Sequence, residues 1–373
     1  MEDKEIMTPQ VDALFEKVTA LIDEARKRVK SAVNLSMVYT YYGIGGYIVE
    51  DQQQGKYRAD YGKRVLDSLS QRLTDKYGPG WSVETLKKCR QFYKTYAKSI
   101  RSTASTELSA YHGSGEDSVY SVDQIERRDR KTPSFVLDWS HYLILMRIKD
   151  PDARRFYEIE SYKCDWNVRQ LQRQVASSLY ERIALSRDKD EVMRLAQEGN
   201  VVEKPTDIIK NPLTLEFLGL KPEAAYTETK LESAIIDKMQ DFLLELGKGF
   251  LFDKRQRRFT FDEDHYFVDL VFYNRLLQCF VLIDLKINKL THQDLGQMQM
   301  YVNYYDRYEK MPFEKPTIGI LLCREKKDAM VELTLPKDSN IYAAEYALYL
   351  PDKKELQQKL QDWLEEFSEE GFE

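Results

Sequence analysis

The stretch FVLIDLKINK, residues 280–289, sets Asp284 and Lys286 into a run that is otherwise Phe280, Val281, Leu282, Ile283, Leu285 and Ile287. Residues i and i+2 of a strand share a face, so a carboxylate and an ammonium stand side by side in an apolar element. Burying either charge unpaired is expensive, which leaves two readings: the pair neutralises itself, or it flanks a metal. Asp269 favours the second. Its stretch, HYFVDLVFYN at 265–274, has the apolar content of another buried strand, and an even-length turn around Asn274 to Leu277 makes Asp269 a same-face, cross-strand neighbour of Asp284. Two carboxylates at close range repel, and one takes up a proton unless a cation sits between them. Carboxylate oxygens suit a hard divalent ion, Mg2+ or Mn2+, completed by water and a substrate phosphate.

The chemistry that such a set serves is metal-assisted hydrolysis of a phosphodiester. Asp269 and Asp284 would hold one or two ions, with the backbone carbonyl of Leu285 as an extra ligand. Lys286 would orient or help deprotonate the attacking water and offset charge developing on the phosphorane. Glu232, on a helix ahead of the strands, is a candidate further metal carboxylate; the alternative is a solvent-facing acid favoured by the helix dipole.

Positioning these residues requires a sheet. A helical pattern at about 230–247 (KLESAIIDKMQDFLLELG) is followed by strand signals near 257–261, 265–274 and 278–288. Thr291 then opens a helix through HQDLGQMQMYVNYYDRY. A strand TIGILLC at 317–323, a last strand IYAAEYALYL and a terminal helix from 352 complete the order. The order α-β-β-β-α-β predicts a mixed sheet with helices on it, an α/β core within a chain that is α+β overall.

The first half has a different period. Helical spacing runs over about 9–53 and 60–77 and stops at Gly78-Pro79-Gly80. Ser82 stands at an N-cap position and Glu84 in the first turn of a helix predicted over 83–101. In that helix Leu86, Cys89, Tyr93, Tyr96 and Ile100 form a buried stripe, and Lys87, Arg90, Lys94, Lys98 and Arg101 follow one residue later, about 100° round the axis. A helix, a tight turn and a helix with a cationic row resembles a helix-turn-helix element that lies against DNA; the alternative is a solvated surface helix. The basic run Lys254, Arg255, Arg257 and Arg258 likewise reads as a phosphate path at the mouth of the site or as a solvated strand end.

Residues 102–134 are poor in aliphatics and rich in Ser, Thr, Gly and charge, which predicts a loop or flexible insertion. Helical spacing resumes over 137–187, with a turn at Asp165-Trp166-Asn167. Residues 188–229 are irregular and contain Pro205, Pro212 and Pro222. The expected division is therefore a helical domain over 1–187, a connecting segment over 188–229 and the sheet domain over 230–373.

Composition narrows the classes further. The 373 residues carry 42% hydrophobic and 32% charged residues, as in ordinary globular chains, and exceed what one core usually serves. The apolar runs are strand-sized and MEDKEIMTPQ has no signal-peptide pattern, so a cytoplasmic protein with no membrane partner is expected. Cys89, Cys164, Cys279 and Cys323 form no CxxC pair, which argues against a zinc knuckle or a disulfide framework. The net charge is −6, yet residues 51–100 hold 11 Lys+Arg against 5 Asp+Glu, an asymmetry that suits a polyanion-facing module in an acidic chain.

Asp269, followed by Asp284-Leu285-Lys286, resembles the D…(D/E)xK signature of the PD-(D/E)XK nuclease superfamily, with Val268 where the superfamily's name has proline. Gln297-Met298-Gln299-Met300-Tyr301 is similar to the QxxxY element of its RecB-like branch, which implies that Gln297 and Tyr301 contact the active site or the DNA backbone. Longer stretches, among them HYFVDLVFYNRLLQCFVLIDLKINKLTHQDLGQMQMYVNYYD, LDWSHYLILMRIKDPDARRFYE and YGKRVLDSLSQRLTDKYGPGWSVETLKKCRQFY, resemble the bacterial YhcG-type proteins. Those pair a helical N-terminal domain, predicted to bind DNA, with a PDDEXK nuclease domain. The resemblance implies a restriction-endonuclease-like αβββαβ domain, Mg2+ or Mn2+, and double-stranded or branched DNA. It also implies association with restriction-modification components. A homodimer would serve the cutting of both strands. Two functions stand open: a Mg-dependent DNA endonuclease, favoured by the intact triple, and a non-catalytic DNA-binding or regulatory protein that retains the fold. RNA is less favoured, since no stacking signature of single-strand RNA readers is present.

Overall fold

The computed structural model describes residues 18–19, 32–51, 59–101 and 135–369, less positions 186, 188, 211, 222–225, 262 and 337. The expected insertion at 102–134 and the first helical run at 9–31, apart from residues 18–19, lie outside the described residues. Packing separates the chain at Lys149/Asp150 into two compact units.

In the first unit, helices α1 (32–51), α2 (Ala59–Tyr77), α3 (Val83–Arg101) and α4 (Trp139–Leu145) surround an aromatic core. Gly78 and Gly80 turn the chain at φ of 84° and 123°, and Ser82 caps α3 by accepting the Thr85 N–H at 3.2 Å. Leu86, Cys89 and Tyr96 are buried as the stripe predicts, while Tyr93 is only half-buried and its neighbour Phe92 is fully enclosed. The reason is tertiary. A Cβ at Gly45 would collide with the Cys89 carbonyl, so α1 lies directly on α3 there, with Gly46 against the Tyr93 ring. Phe92 is thereby turned into a cluster with Tyr42, Phe135, Trp139 and Tyr142, ring centroids 4.9–5.7 Å apart.

The second unit opens with helices α5 (Pro151–Lys163), α6 (Val168–Ala176), α7 (Leu179–Ala184) and α8 (Lys189–Glu198). The sheet follows, with β1 (Leu213–Thr214), β2 (Phe250–Phe261), β3 (Asp264–Asn274), β4 (Cys279–Leu285), β5 (Ile318–Cys323) and β6 (Ile341–Ala347) in the order β1-β6-β5-β4-β3-β2. β2, β3 and β4 are antiparallel; β4, β5, β6 and β1 are parallel. The side chains of β4 alternate as a strand must: Val281, Ile283 and Leu285 pack beneath Leu231 and Ile235 of α9 (Glu228–Asp237) and Phe242 and Leu246 of α10 (Met239–Leu246). On the other face Leu282 packs with Leu295, Met298 and Val302 of α11 (His292–Tyr304). Thr291 caps α11 through a reciprocal box with Asp294. Helices α12 (Asp328–Thr334) and α13 (Lys353–Glu369) complete the described chain.

Four differences from the sequence reading have physical causes. The helix expected over 230–247 breaks at Lys238, at φ −117° and ψ 31°, so that both halves keep their apolar sides on the sheet. β2 is longer than its expected 257–261, because its first half is an exposed edge strand with little alternation. The segment 188–229, expected as a connector, carries β1, which pairs in parallel with β6, and buries Ile208, Leu213 and Leu215 in the sheet core. Helices α5–α8, expected with the first half, likewise belong to the packing unit of the sheet. A two-residue strand has no period to detect, and helix patterns do not say which neighbour a helix chooses.

Candidate active site

The β3–β4 hairpin pairs Asn274 with Cys279 and continues to Leu270 opposite Ile283. One more step would set Asp269 opposite Asp284. The ladder ends there instead, and the Asp269 side chain replaces the missing backbone acceptor: its Oδ2 accepts the Leu285 N–H at 2.8 Å. Asp284 stands next to it, 3% exposed, with its Oδ2 2.7 Å from Lys286 Nζ. The backbone of Lys286 donates to the Leu322 carbonyl of β5 at 2.8 Å, which ties the lysine to the parallel part of the sheet. Asp269, Asp284, Leu285 and Lys286 are thus assembled at one end of β4.

Helix α11 brings the second pair. Gln297 Nε2 donates to the Tyr301 hydroxyl one turn on, and Tyr301, 1% exposed, packs edge-on against Phe259 at 5.6 Å. Burial raises the Tyr301 hydroxyl above the ordinary tyrosine range, and it feels the charges of Asp284, Lys286 and Asp269. Asp294 of the α11 cap lies 3.8 Å from Lys286 Nζ.

Helix α9 approaches from the opposite side of the sheet. Glu232 is 3% exposed, so the solvent-facing alternative does not hold. Its carboxylate accepts from Arg255 Nε at 2.6 Å and from Gln256 Nε2 at 2.7 Å, and the same Gln256 amide donates to Asp269 Oδ1 at 2.9 Å. Glu228, one turn earlier on α9, adds its field to both Asp284 and Lys286.

Negative charge is in excess here. Burial, and then the like charge of Asp269, push the Asp284 carboxyl up to about 7 against the pull of Lys286. Burial would lower Lys286, but Asp284, Glu228 and Asp294 hold it above the ordinary lysine range. Asp284 rises chiefly through burial and Lys286 through the carboxylates around it, an arrangement that an added cation would relieve. Among the described residues no three His, Cys, Asp or Glu side chains group closely enough to hold a metal by themselves. The fit is to an ion that takes two carboxylates, a backbone carbonyl and water, which is how Mg2+ is commonly held.

The expected DNA-contacting residues are dispersed. Arg255 is turned onto Glu232, and Arg257 lies 3.4 Å from Glu309. On α3, Lys87 and Lys94 are exposed and Arg90 is half-buried; the side chains of Lys98 and Arg101 lie outside the described residues. Sequence reasoning passed over Gln256, Glu228 and Asp294. The i,i+4 spacing of Glu228 and Glu232 and the Thr291-x-x-Asp294 cap were readable signals for two of them. Gln256 offered none.

Comparison with known proteins supplies the family. Residues 206–361 match the YhcG PDDEXK nuclease domain and residues 17–182 the DUF1016 N-terminal domain. The chain is 38% identical over 349 residues to the Escherichia coli (strain K12) protein named "Putative nuclease YhcG", covering 93% of this chain and 92% of that one. Among solved structures, a repair endonuclease from Pyrococcus abyssi matches with 15% identity and a TM-score of 0.24 over 35% of this chain and 50% of its own. A structure titled as an EndoMS-dsDNA2 complex matches with 17% identity and a TM-score of 0.25 over 36% and 50%. With 38% identity to the E. coli relative over most of both chains and the two domain matches along this one, the chain belongs to the YhcG family of PDDEXK nuclease-domain proteins.

Proposed function

We propose that the protein is a divalent-cation-dependent endonuclease that hydrolyses phosphodiester bonds of double-stranded or branched DNA. The observation that carries the reading is the meeting of Asp269, Asp284 and Lys286 at the end of β4, with more carboxylate charge than the lysine balances. Asp269 and Asp284, with the Leu285 carbonyl, would hold Mg2+ or Mn2+, and Glu232 could join if it left Arg255. When bound, the ion supplies Lewis-acid polarisation of the phosphate and a lower pKa for its water. Lys286, anchored by the β5 carbonyl, places its ammonium beside Asp284, where it can orient the attacking water and offset charge on the pentacovalent phosphate. Gln297 and Tyr301 offer an amide and a hydroxyl, held to each other, as donors to a phosphate oxygen.

DNA capture is assigned to the first unit, through the α3 cations Lys87, Arg90, Lys94, Lys98 and Arg101, with Arg255 and Arg257 as further phosphate contacts. A symmetric pair of chains would serve both strands of a duplex.

Cleavage of supercoiled plasmid and of a branched duplex with Mg2+ or Mn2+ tests the reading, comparing the wild type with Asp284→Ala and Lys286→Ala. Cleavage by the wild type alone, with DNA binding retained in both variants, is expected. Binding without cleavage by any form, weakened by Arg90→Ala, would instead favour a non-catalytic DNA-binding protein.

A further inference from the structure

Alternation along β3 fails at one point. Leu270 and Phe272 pack on the α9–α10 side of the sheet, whereas Val268, two residues from Leu270, packs on the α11 side. Residues i and i+2 of a regular strand share a face, so the strand reverses its faces at Asp269. The partner strand reverses at the same level. Arg255, paired with Leu270, reaches Glu232 of α9; Arg257, paired with Val268, reaches Glu309 just beyond α11. Between them Gln256 has φ 47°, the left-handed region that a residue with a Cβ seldom occupies. Within β2 this is the described residue with positive φ, and it lies directly across the hairpin from Asp269.

The distortion has a chemical result. It turns the Gln256 amide inward, where one Nε2 group donates to Glu232 at 2.7 Å and to Asp269 at 2.9 Å. Asp269 is then held from two sides, by Gln256 on Oδ1 and by the Leu285 N–H on Oδ2. A carboxylate whose two oxygens each accept one bond keeps its remaining lone pairs in a fixed direction. Left-handed backbone at Gln256, beside the register shift between Phe252 and Lys254, is the kind of strand irregularity that re-aims side chains.

We propose that Gln256 is a positioning residue: its carboxamide orients Asp269 toward the cation, and the left-handed backbone at 256 exists to deliver that amide. The assignment rests on the nuclease reading above. Outer partners of metal ligands are worth about 10- to 100-fold in metal affinity.

The full-length chain with Gln256→Gly separates positioning from mere structure, because glycine relaxes the left-handed backbone while removing the amide. Mn2+ affinity, read by electron paramagnetic resonance of free Mn2+, is expected to weaken about 10-fold or more. Melting temperature should be unchanged or higher, and in cleavage assays at limiting Mn2+ kcat should fall with KM for DNA unchanged. If Gln256→Gly does not fold, Gln256→Asn carries the same test, since Asn tolerates positive φ but ends one methylene short. Mn2+ affinity equal to wild type in either folded variant overturns the proposal, as does a loss of binding matched by a loss of melting temperature in both. Asp269→Ala distinguishes the underlying reading: if it binds Mn2+ as tightly as the wild type, or if the wild type binds none, the cation site is elsewhere and the role of Gln256 falls with it.

Discussion

The second unit buries two clusters of charge, and they are built to opposite ends. Around Glu245 of α10, fully buried, the carboxylate accepts from Arg182 at 2.6 Å, Arg173 at 2.9 Å and the Thr214 N–H at 3.0 Å. Lys210 donates to the backbone carbonyl of Glu245, and Arg173 also holds Glu216 at 3.0 Å. Burial would raise Glu245, yet Arg182, Lys210 and Arg173 together hold it down to about 2. At the end of β4 the balance is inverted, with Asp269, Asp284, Glu228 and Asp294 facing Lys286, and Asp284 is pushed up to about 7. The first cluster answers its charges internally and stitches α6 and α7 to β1 and α10. The second is left unbalanced, with carboxylates in excess over the lysine, which is the basis of the cation site proposed above. Burial of charge is common to both; the proposed chemistry is placed at the cluster whose carboxylates are in excess.

The contrast can be broken by substitution. Glu245→Ala should cost about 3–5 kcal/mol, because it leaves two buried guanidinium groups without their carboxylate; chemical denaturation of the full chain measures this, and a loss below about 1 kcal/mol would show that the cluster is not structural. Asp284→Asn should do the reverse. Cleavage is expected to fall by about 100-fold or more, while the melting temperature holds or rises as like-charge repulsion is removed.

Acid sharpens the same comparison. Glu245 is held below its ordinary 4.5, at about 2, so its stabilisation is complete above pH 4.5 and is lost as pH falls toward 2. The loss should be about 3 kcal/mol and be absent in Glu245→Gln, read from denaturation midpoints across that window. Lys210, held down to about 8 chiefly by burial, also makes stability rise with pH, but in a separate window: the cost of its charge is relieved as pH rises from 8 toward 10.5. The smallest effect is ligand-linked. Mg2+ at about 100 times its dissociation constant should stabilise the wild type by about 2.7 kcal/mol, and should not stabilise Asp269→Ala.

Which parts of this were readable in advance follows from the range of the forces involved. Local signals placed α3 at its observed bounds, because Ser82, Gly78 and Gly80 act on their own neighbours. Thr291 announced α11 in the same way. The register of the β3–β4 hairpin was legible because it depends on turn length and alternation, and with it the approach of Asp269 to Asp284. Phe92 was misjudged against Tyr93, since the choice between adjacent residues on one helix depends on where Gly45 lets α1 come close. That Arg255 is shared with Glu232 was not legible, because Glu232 lies on a different element.

The sequence by itself determined which residues could do chemistry: Asp269 and Asp284 in neighbouring apolar stretches, Lys286 two residues on, and Gln297 and Tyr301 one turn apart can be found by counting, because period and spacing are properties of a single chain. Only the tertiary structure decided how the charges are answered. Helices α5–α8 pack with the sheet, Glu228 and Asp294 come to bear on Lys286, and Gln256 leaves regular strand geometry to hold Asp269, because each of these depends on which distant groups share a buried space. Electrostatics in a low-dielectric interior acts across whatever is near in space, and nearness in space is what a linear pattern does not encode.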